Sequence, residues 1–121
     1  MILLDELLRR DKRFPLEAYL LINDGLQYTY KMTGRKEHIT PAELLEGIRR
    51  LMVERYGPLA KMVLNSWNIF TTDDIGQVVF NLLEAGLLVK TAFGRLEDYH
   101  AVYDFDRAFV KDYVIADDPQ L

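Results

Sequence analysis

The chain of 121 residues contains no cysteine. This absence excludes disulfide bonds, thiolate metal ligands and a thiol nucleophile. Only two histidines are present, His38 and His100. Carboxylates stand near His100 at Glu97, Asp98, Asp104 and Asp106, and we interpret this cluster as solvated residues that flank a hairpin and not as a metal site. The patterns HExxH, DxDxDG, GxxxxGK and GxSxG are also missing. Zinc, calcium, phosphate-loop and elbow-nucleophile chemistry therefore lack their signatures, and we expect no cofactor and no enzymatic activity.

Long hydrophobic runs are missing as well. The chain begins MILLDELLRRDKR, in which Asp5 and Glu6 interrupt a handful of apolar residues. Such a pattern is neither a secretory signal nor a membrane span. We therefore expect a cytoplasmic protein that has no membrane partner.

The length fits one domain with a single core, residues 1–121. Half of the residues are hydrophobic, so part of the apolar surface could be buried against a second copy, and a homodimer and a monomer both stay open. Residues 1–56 carry 10 Lys or Arg against 9 Asp or Glu, whereas residues 57–121 carry 5 against 10. Because phosphate contacts supply most non-specific affinity for nucleic acid, the acidic second half predicts that nucleic acid is not bound there.

Apolar spacing and capping signals predict a mainly α-helical protein. The strongest signal is Thr40-Pro41-Ala42-Glu43, in which Thr40 caps a helix, Pro41 takes its first position and Glu43 bonds back to the cap. Helices are predicted over residues 2–10, 15–30, 41–56, 59–67 and 72–85, with a last one from Asp104 or Asp106 to about Tyr113. One face of the second helix would hold Leu16, Tyr19, Leu20, Asn23, Leu26 and Tyr30.

The stretch from Thr71 to Phe105 predicts the layout of a winged helix. A helix capped by Thr71 or Thr72 ends at Gly86, and two β-like runs follow at residues 87–91 and 99–103. The predicted fold class is therefore mainly α with one β-hairpin (α+β). Its parts are N-terminal helices over 1–39, a winged-helix-like part over 40–113 and a frayed tail over 114–121.

Three glycines, Gly25, Gly47 and Gly76, lie inside predicted helices, where each costs roughly 1 kcal/mol relative to alanine. We expect that they mark close helix crossings at which a side chain would collide. The alternative is that a helix breaks at its glycine, and this is best supported at Gly25 because Asn23 and Asp24 precede it.

Two surfaces are candidate binding sites. The first is the start of the predicted recognition helix together with the predicted wing, namely Asp73, Asp74, Gln77, Arg95, Glu97 and Asp98. The second is a possible basic face made of Arg9, Arg10, Lys12, Arg13, Arg49, Arg50 and Arg55. The leading hypothesis is an interaction or adaptor module that binds a protein partner or itself. A DNA-binding transcriptional regulator that uses the basic face is the alternative, and an enzyme is a distant third.

Four segments of the sequence carry a resemblance that extends from Leu7 to Phe109: LLRRDKRFPLEAYLLINDGLQYT, LLEGIRRLMVERYGPLAKMVLNSWNI, TTDDIGQVVFNLLEAGLL and VYDFDRAF. They resemble a family of uncharacterised short bacterial proteins first described as restricted to planctomycetes and verrucomicrobia. This resemblance implies a shared role without an activity, ligand or catalytic residue. Residues 59–88 also resemble the helix, turn and recognition helix of winged-helix regulators. They depart from the DNA-binding pattern because only Gln77 offers a base-edge contact beside Asp73 and Asp74.

Overall fold

The structure is a computed structural model that describes residues 4–88 and 93–111. Five α-helices follow one another along this part of the chain: α1 Leu4–Arg10, α2 Leu16–Thr33, α3 Pro41–Tyr56, α4 Ala60–Ser66 and α5 Thr72–Glu84. Two short 3₁₀ segments, Gly57–Leu59 and Leu96–Tyr99, and a π-helical turn, Arg107–Lys111, complete the described elements. The prediction of a mainly helical protein is confirmed.

Local capping chemistry sets the helix boundaries. The Thr40 hydroxyl accepts a hydrogen bond from the Glu43 N–H at 3.1 Å, and the Glu43 carboxylate accepts one from the Thr40 N–H at 3.0 Å. This reciprocal pair is the predicted capping box, and α3 begins at Pro41 as expected. Pro15, in contrast, is the residue before α2 and has an extended backbone, so α2 begins one residue later than predicted.

The predicted β-hairpin is wrong, and with it the winged-helix-like part over 40–113. The described residues contain no β-strand; the chain forms a 3₁₀ helix at Leu96–Tyr99 and then turns, while residues 89–91 of the predicted first strand lie outside the described part. The alternation of Tyr99, Ala101 and Tyr103 suggested a strand. Tyr99 is instead fully buried and its hydroxyl donates to the Phe93 carbonyl, whereas Ala101 is exposed with a left-handed φ of 48°. Tyr99 therefore enters the core from the 3₁₀ segment and not from a strand.

The core lies between α2, α3 and α5. α2 and α3 run antiparallel, because Asp24 pairs with Arg55 near one end while Thr29 lies beside Gly47 farther along. A Cβ atom on Gly47 would collide with the Thr29 hydroxyl, and one on Gly25 would lie 2.5 Å from the Ile48 side chain. The prediction of close crossings is confirmed at both sites, and α2 continues through Gly25 without a break.

α5 packs closely on the 3₁₀ segment that replaces the predicted hairpin. A Cβ atom on Gly76 would lie 2.6 Å from the Tyr99 Cβ atom, so this glycine also marks a close contact. The chain leaves α5 through Gly86, which has the predicted left-handed conformation with a φ of 75°. Phe105 and Phe109 are buried in the same core. The predicted end of the last helix at Tyr113 and the tail over 114–121 lie outside the described residues.

Candidate interaction groove

The acidic residues at the start of α5 form hydrogen bonds within their own chain. One Asp74 carboxylate oxygen accepts hydrogen bonds from the N–H groups of Phe70 and Thr71, at 2.8 and 3.2 Å. The Asp73 carboxylate accepts one from the Ala101 N–H at 3.2 Å and lies 2.7 Å from Nδ1 of His100. The hydrogen bond with His100 is the main cause of a lowered pKa of the Asp73 carboxyl group. Both side chains therefore bind groups of their own chain.

Gln77, the predicted base-edge contact, belongs to an internal polar network. Its amide donates to the Asn81 side chain at 3.0 Å. Asn81 is buried and donates to the Asp11 carboxylate at 2.8 Å and to the Tyr19 hydroxyl at 3.2 Å. The guanidinium of Arg13 also donates to Asp11, and this hydrogen bond is the main cause of a strongly lowered Asp11 pKa. The network fastens the segment after α1 to α5.

The residues predicted for the wing tip, Arg95, Glu97 and Asp98, are exposed in or beside the second 3₁₀ segment. Asp98 accepts a hydrogen bond from the Arg95 N–H at 2.9 Å. The Arg95 guanidinium lies 3.9 Å from the carboxylates of both acids, which is too far for a hydrogen bond. Within the described part of the chain, these three residues form no hydrogen bond or ion pair with Asp73, Asp74 or Gln77, and the surface made of all six stays a prediction.

Carboxylates of the same chain neutralise most of the predicted basic face. Five of its seven cations form ion pairs: Arg9 with Asp5, Arg13 with Asp11, Arg49 and Arg50 with Glu46, and Arg55 with Asp24. Arg10 and Lys12 are exposed and form no ion pair within the described part of the chain. These pairings reduce the positive potential that a phosphate backbone would meet.

A cavity that sequence reasoning did not single out lies along α2. Its volume is about 540 Å³, and α2 contributes Asn23, Leu26, Gln27 and Tyr30 to its wall. These four positions are spaced by three, one and three residues, so they form one stripe along the helix. Leu87, Leu88 and Phe93 line the cavity from the other side.

A second cavity, of about 200 Å³, extends the first along α2 toward its N-terminus. Asn23, Leu87 and Leu88 line both cavities, and Tyr19 and Leu20 line the second. We call the continuous depression the α2 groove and define its helical wall by Tyr19, Leu20, Asn23, Leu26, Gln27 and Tyr30. From Tyr19 to Tyr30 the groove follows the helix for about 16 Å.

The loop between α2 and α3 forms the rim of the groove at Lys36, Glu37 and His38. His38 has a left-handed backbone with a φ of 57°, which is uncommon for a residue other than glycine. The Arg35 guanidinium donates to the His38 carbonyl at 2.9 Å and to the carboxylate of Glu43 in the α3 capping box. The rim is thus fastened to the start of α3.

Two side-chain amides lie in the wall of the groove. Asn23 and Gln27 are exposed, and their side chains form no hydrogen bond with any residue that the structure describes. The predicted stripe on α2 includes Asn23 with Leu20 and Leu26, and a polar amide in an apolar stripe was the available signal. The stripe alone did not reveal which elements would cover it.

Comparisons with protein-family models, with curated proteins and with solved structures find no match for this chain. The resemblance to the family of short bacterial proteins therefore stays a prediction. No group of three or more His, Asp or Glu side chains within residues 4–88 and 93–111 is arranged to hold a metal ion. Across the same residues, no helix has both the length and the apolar character that crossing a bilayer requires.

Proposed function

We propose that this protein is an interaction module whose α2 groove binds a segment of a partner polypeptide. The observation that carries the proposal is the pair of adjoining cavities along α2. The smaller cavity is lined mainly by apolar side chains, and the larger one by apolar side chains together with polar residues of α2 and of the rim. Leu20 is 48 % exposed although it lines the second cavity together with Leu82 and Leu87. Apolar surface that stays accessible in a recess is typical of a binding site, because covering it removes that surface from water.

The shape of the groove supports a polypeptide segment as its occupant. The groove extends for about 16 Å along α2, which corresponds to about three helical turns. Compact small molecules are usually enclosed in a single concave cavity that buries most of their surface. A long depression that follows α2 and is closed by residues of α1, α5 and the loops instead resembles the grooves in which peptide segments are recognised.

The DNA-binding alternative has less support. Its contacts would come from the basic face, where five of seven cations already have carboxylate partners. The start of α5, where a winged helix would read DNA, presents Asp73 and Asp74 engaged with their own chain. An enzyme stays the third hypothesis and has no positive observation in its favour.

A peptide library tests the proposal. The probe is a displayed library of random peptides of about twelve residues. A peptide of this length spans the groove whether it is helical or extended. We expect peptides that bind the purified protein to lose binding to Leu20→Arg, because a guanidinium in the apolar cavity would be desolvated on binding. The matched control is Met62→Arg, which alters an apolar side chain on α4 that is 67 % exposed and does not line the groove.

The proposal would be contradicted if no peptide of the library bound the protein. It would also be contradicted if the selected peptides bound Leu20→Arg as tightly as the unmodified protein. Sedimentation of the protein alone tests the remaining occupant, a second copy of this chain. A dimer that Leu20→Arg dissociates and Met62→Arg does not would show that self-association fills the groove. In that case the occupant of the α2 groove would be a second copy of this protein and not a different polypeptide.

A further inference from the structure

We propose that α1 is a detachable helix, which opens as a unit from α5 while the rest of the core stays folded, with its hinge at Lys12. Opening breaks two contacts, namely the burial of the Leu7 side chain and the hydrogen bond between Asp11 and Asn81. In the open state the surface of α5 around Ala85 becomes accessible. This conformational device is independent of what the α2 groove binds.

The apolar attachment of α1 is small. Of the seven residues of this helix, Leu7 is the one buried side chain, with 4 % exposure, and Leu4 and Leu8 are partly buried. An isolated helix needs about 12–15 residues to be even marginally stable in water. α1 therefore keeps its helical form only while it is docked, and its docking depends mainly on one leucine.

The packing between α1 and α5 is incomplete. A cavity of about 160 Å³ lies between the two helices, and its wall includes Leu7, Asn81 and Ala85. A well-packed interior leaves few voids larger than a water molecule. Arg10 of α1 and Glu84 of α5 line the same cavity, and within the described part of the chain they form no ion pair with each other. Neither close packing nor a salt bridge therefore joins the two helices at this point.

The polar attachment of α1 lies at its C-terminal end. The Asp11 N–H donates to the Leu7 carbonyl at 3.1 Å, so Asp11 moves with the helix. Its carboxylate accepts the 2.8 Å hydrogen bond from Asn81 of α5. Arg13 also donates to this carboxylate, but Arg13 belongs to the same connecting segment and does not join it to α5. Opening of α1 therefore has to break the bond between Asp11 and Asn81.

The position of the hinge follows from the next attachment along the chain. The Arg13 carbonyl accepts a hydrogen bond from the Asn68 side chain at 2.8 Å, and Phe14 is buried in the core. These contacts hold the chain in place from Arg13 onward. Lys12 is exposed and lies between the two attachments, so rotation about its backbone can release α1 and leave the rest of the fold intact.

Hydrogen exchange of single backbone amides, measured by NMR on the full chain at several low urea concentrations, tests the proposal. An amide that exchanges through local opening is less protected and depends less on urea than one that exchanges through global unfolding. We expect the amides of Arg9, Arg10 and Asp11 to exchange at least about a hundredfold faster than that of Ile22 in α2, after correction for intrinsic rates. Their urea dependence should also be weaker.

Two variants and a matched control identify the contacts that opening breaks. Leu7→Ala and Asp11→Ala should each accelerate exchange in α1 at least about tenfold, because each removes one of these contacts. The control is Ile48→Val, which removes one methyl group from a completely buried side chain beside Gly25. It should accelerate exchange of Ile22 about threefold and leave α1 unchanged, because it destabilises the open and closed states equally.

Several results would overturn the proposal. If the α1 amides and Ile22 had equal protection and equal urea dependence, α1 would unfold only together with the core. Acceleration at both places by Ile48→Val would lead to the same conclusion. Absence of any protection in α1 would show that this helix is not docked. If Asp11→Ala left exchange in α1 unchanged, opening would not break the bond to Asn81 and the hinge would not be at Lys12.

Discussion

The hydroxyl group of Thr72, the first residue of α5, donates a hydrogen bond of 2.7 Å to the backbone carbonyl of Tyr99, 27 residues later in the chain. The same hydroxyl accepts a hydrogen bond from the Val102 N–H at 3.0 Å. Thr72 is completely buried, so one side chain satisfies a donor and an acceptor of the turn that stands where a hairpin was predicted. This relationship fixes the turn against α5.

We predict that Thr72→Val lowers the free energy of unfolding by about 1–3 kcal/mol, because valine keeps the shape and leaves the Val102 N–H and the buried Tyr99 carbonyl without their partner. Urea unfolding measures the change. Ser66→Ala is the control, since that exposed hydroxyl bonds only to the Val63 carbonyl in its own helix. Its effect should stay within about 0.5 kcal/mol. Equal stability of Thr72→Val and the unmodified protein would contradict the role of this hydroxyl.

Gly47 and Gly76 each stand where a neighbouring element leaves no room for a side chain. We predict that Gly47→Leu and Gly76→Leu each lower the unfolding free energy by about 1–3 kcal/mol or more, because overpacking exceeds the gain in helix propensity. Ala42→Leu, at an exposed position of α3, controls for the added side chain. Thermal unfolding distinguishes the cases. A glycine variant that melts at or above the parent temperature would show that close contact does not limit that site.

The ionisation of Asp11 makes the free energy of unfolding depend on pH. Its hydrogen bond with Arg13 is the main cause of a pKa far below that of an unfolded aspartate, which is about 3.9. The ionised form therefore favours folding. This contribution is complete above the unfolded pKa and is lost as the pH falls through the folded pKa. We predict that Asp11→Asn lowers stability at neutral pH and loses less stability than the unmodified protein between about pH 5 and pH 2.

Urea unfolding at a series of pH values measures this difference. Asp5→Asn is the matched control, because Asp5 pairs with Arg9 at 3.5 Å and both side chains are 68 % exposed. An exposed pair of this kind contributes little to stability. If Asp11→Asn and the unmodified protein lost stability in parallel, the ionisation of Asp11 would not be linked to folding.

We predict that duplex DNA of random sequence binds very weakly, even at low salt. A protein that makes about 6–10 phosphate contacts binds tightly at about 50 mM salt and loses roughly 10³–10⁵ in affinity by about 200 mM. The basic residues that could supply such contacts are mostly paired with Asp5, Asp11, Asp24 and Glu46. Fluorescence anisotropy with a labelled duplex at both salt concentrations tests this. Tight binding with a steep salt dependence would favour the DNA-binding regulator.

The signals that predicted correctly were local. The capping box of Thr40 and Glu43 joins residues three positions apart, so the start of α3 follows from neighbouring residues alone. The same logic applies at Thr71 and Asp74, where a second reciprocal pair begins α5. The close crossing at Gly47 was predictable for a related reason, since a glycine that lowers helix propensity indicates that space is needed.

The path of the chain after α5 depended on distant residues. Residues 99–103 alternate as a strand would, but Tyr99 is buried against Gly76 and its carbonyl bonds to Thr72. A periodicity of two within five residues does not tell whether the aromatic side chains line one face of a strand or enter the core from a turn. Their position follows from the packing of α5, which no local pattern encodes.

The sequence by itself determined the helical class, most helix boundaries and the stripe on α2 that includes Leu20, Asn23 and Leu26. Tertiary structure decided which of the candidate surfaces remain available. It engaged Asp73 and Gln77 in hydrogen bonds with their own chain, and it left part of the α2 stripe, including Leu20 and Asn23, accessible in a groove. The physical reason is that helix formation depends on residues within one or two turns, whereas burial depends on which distant segments cover a face.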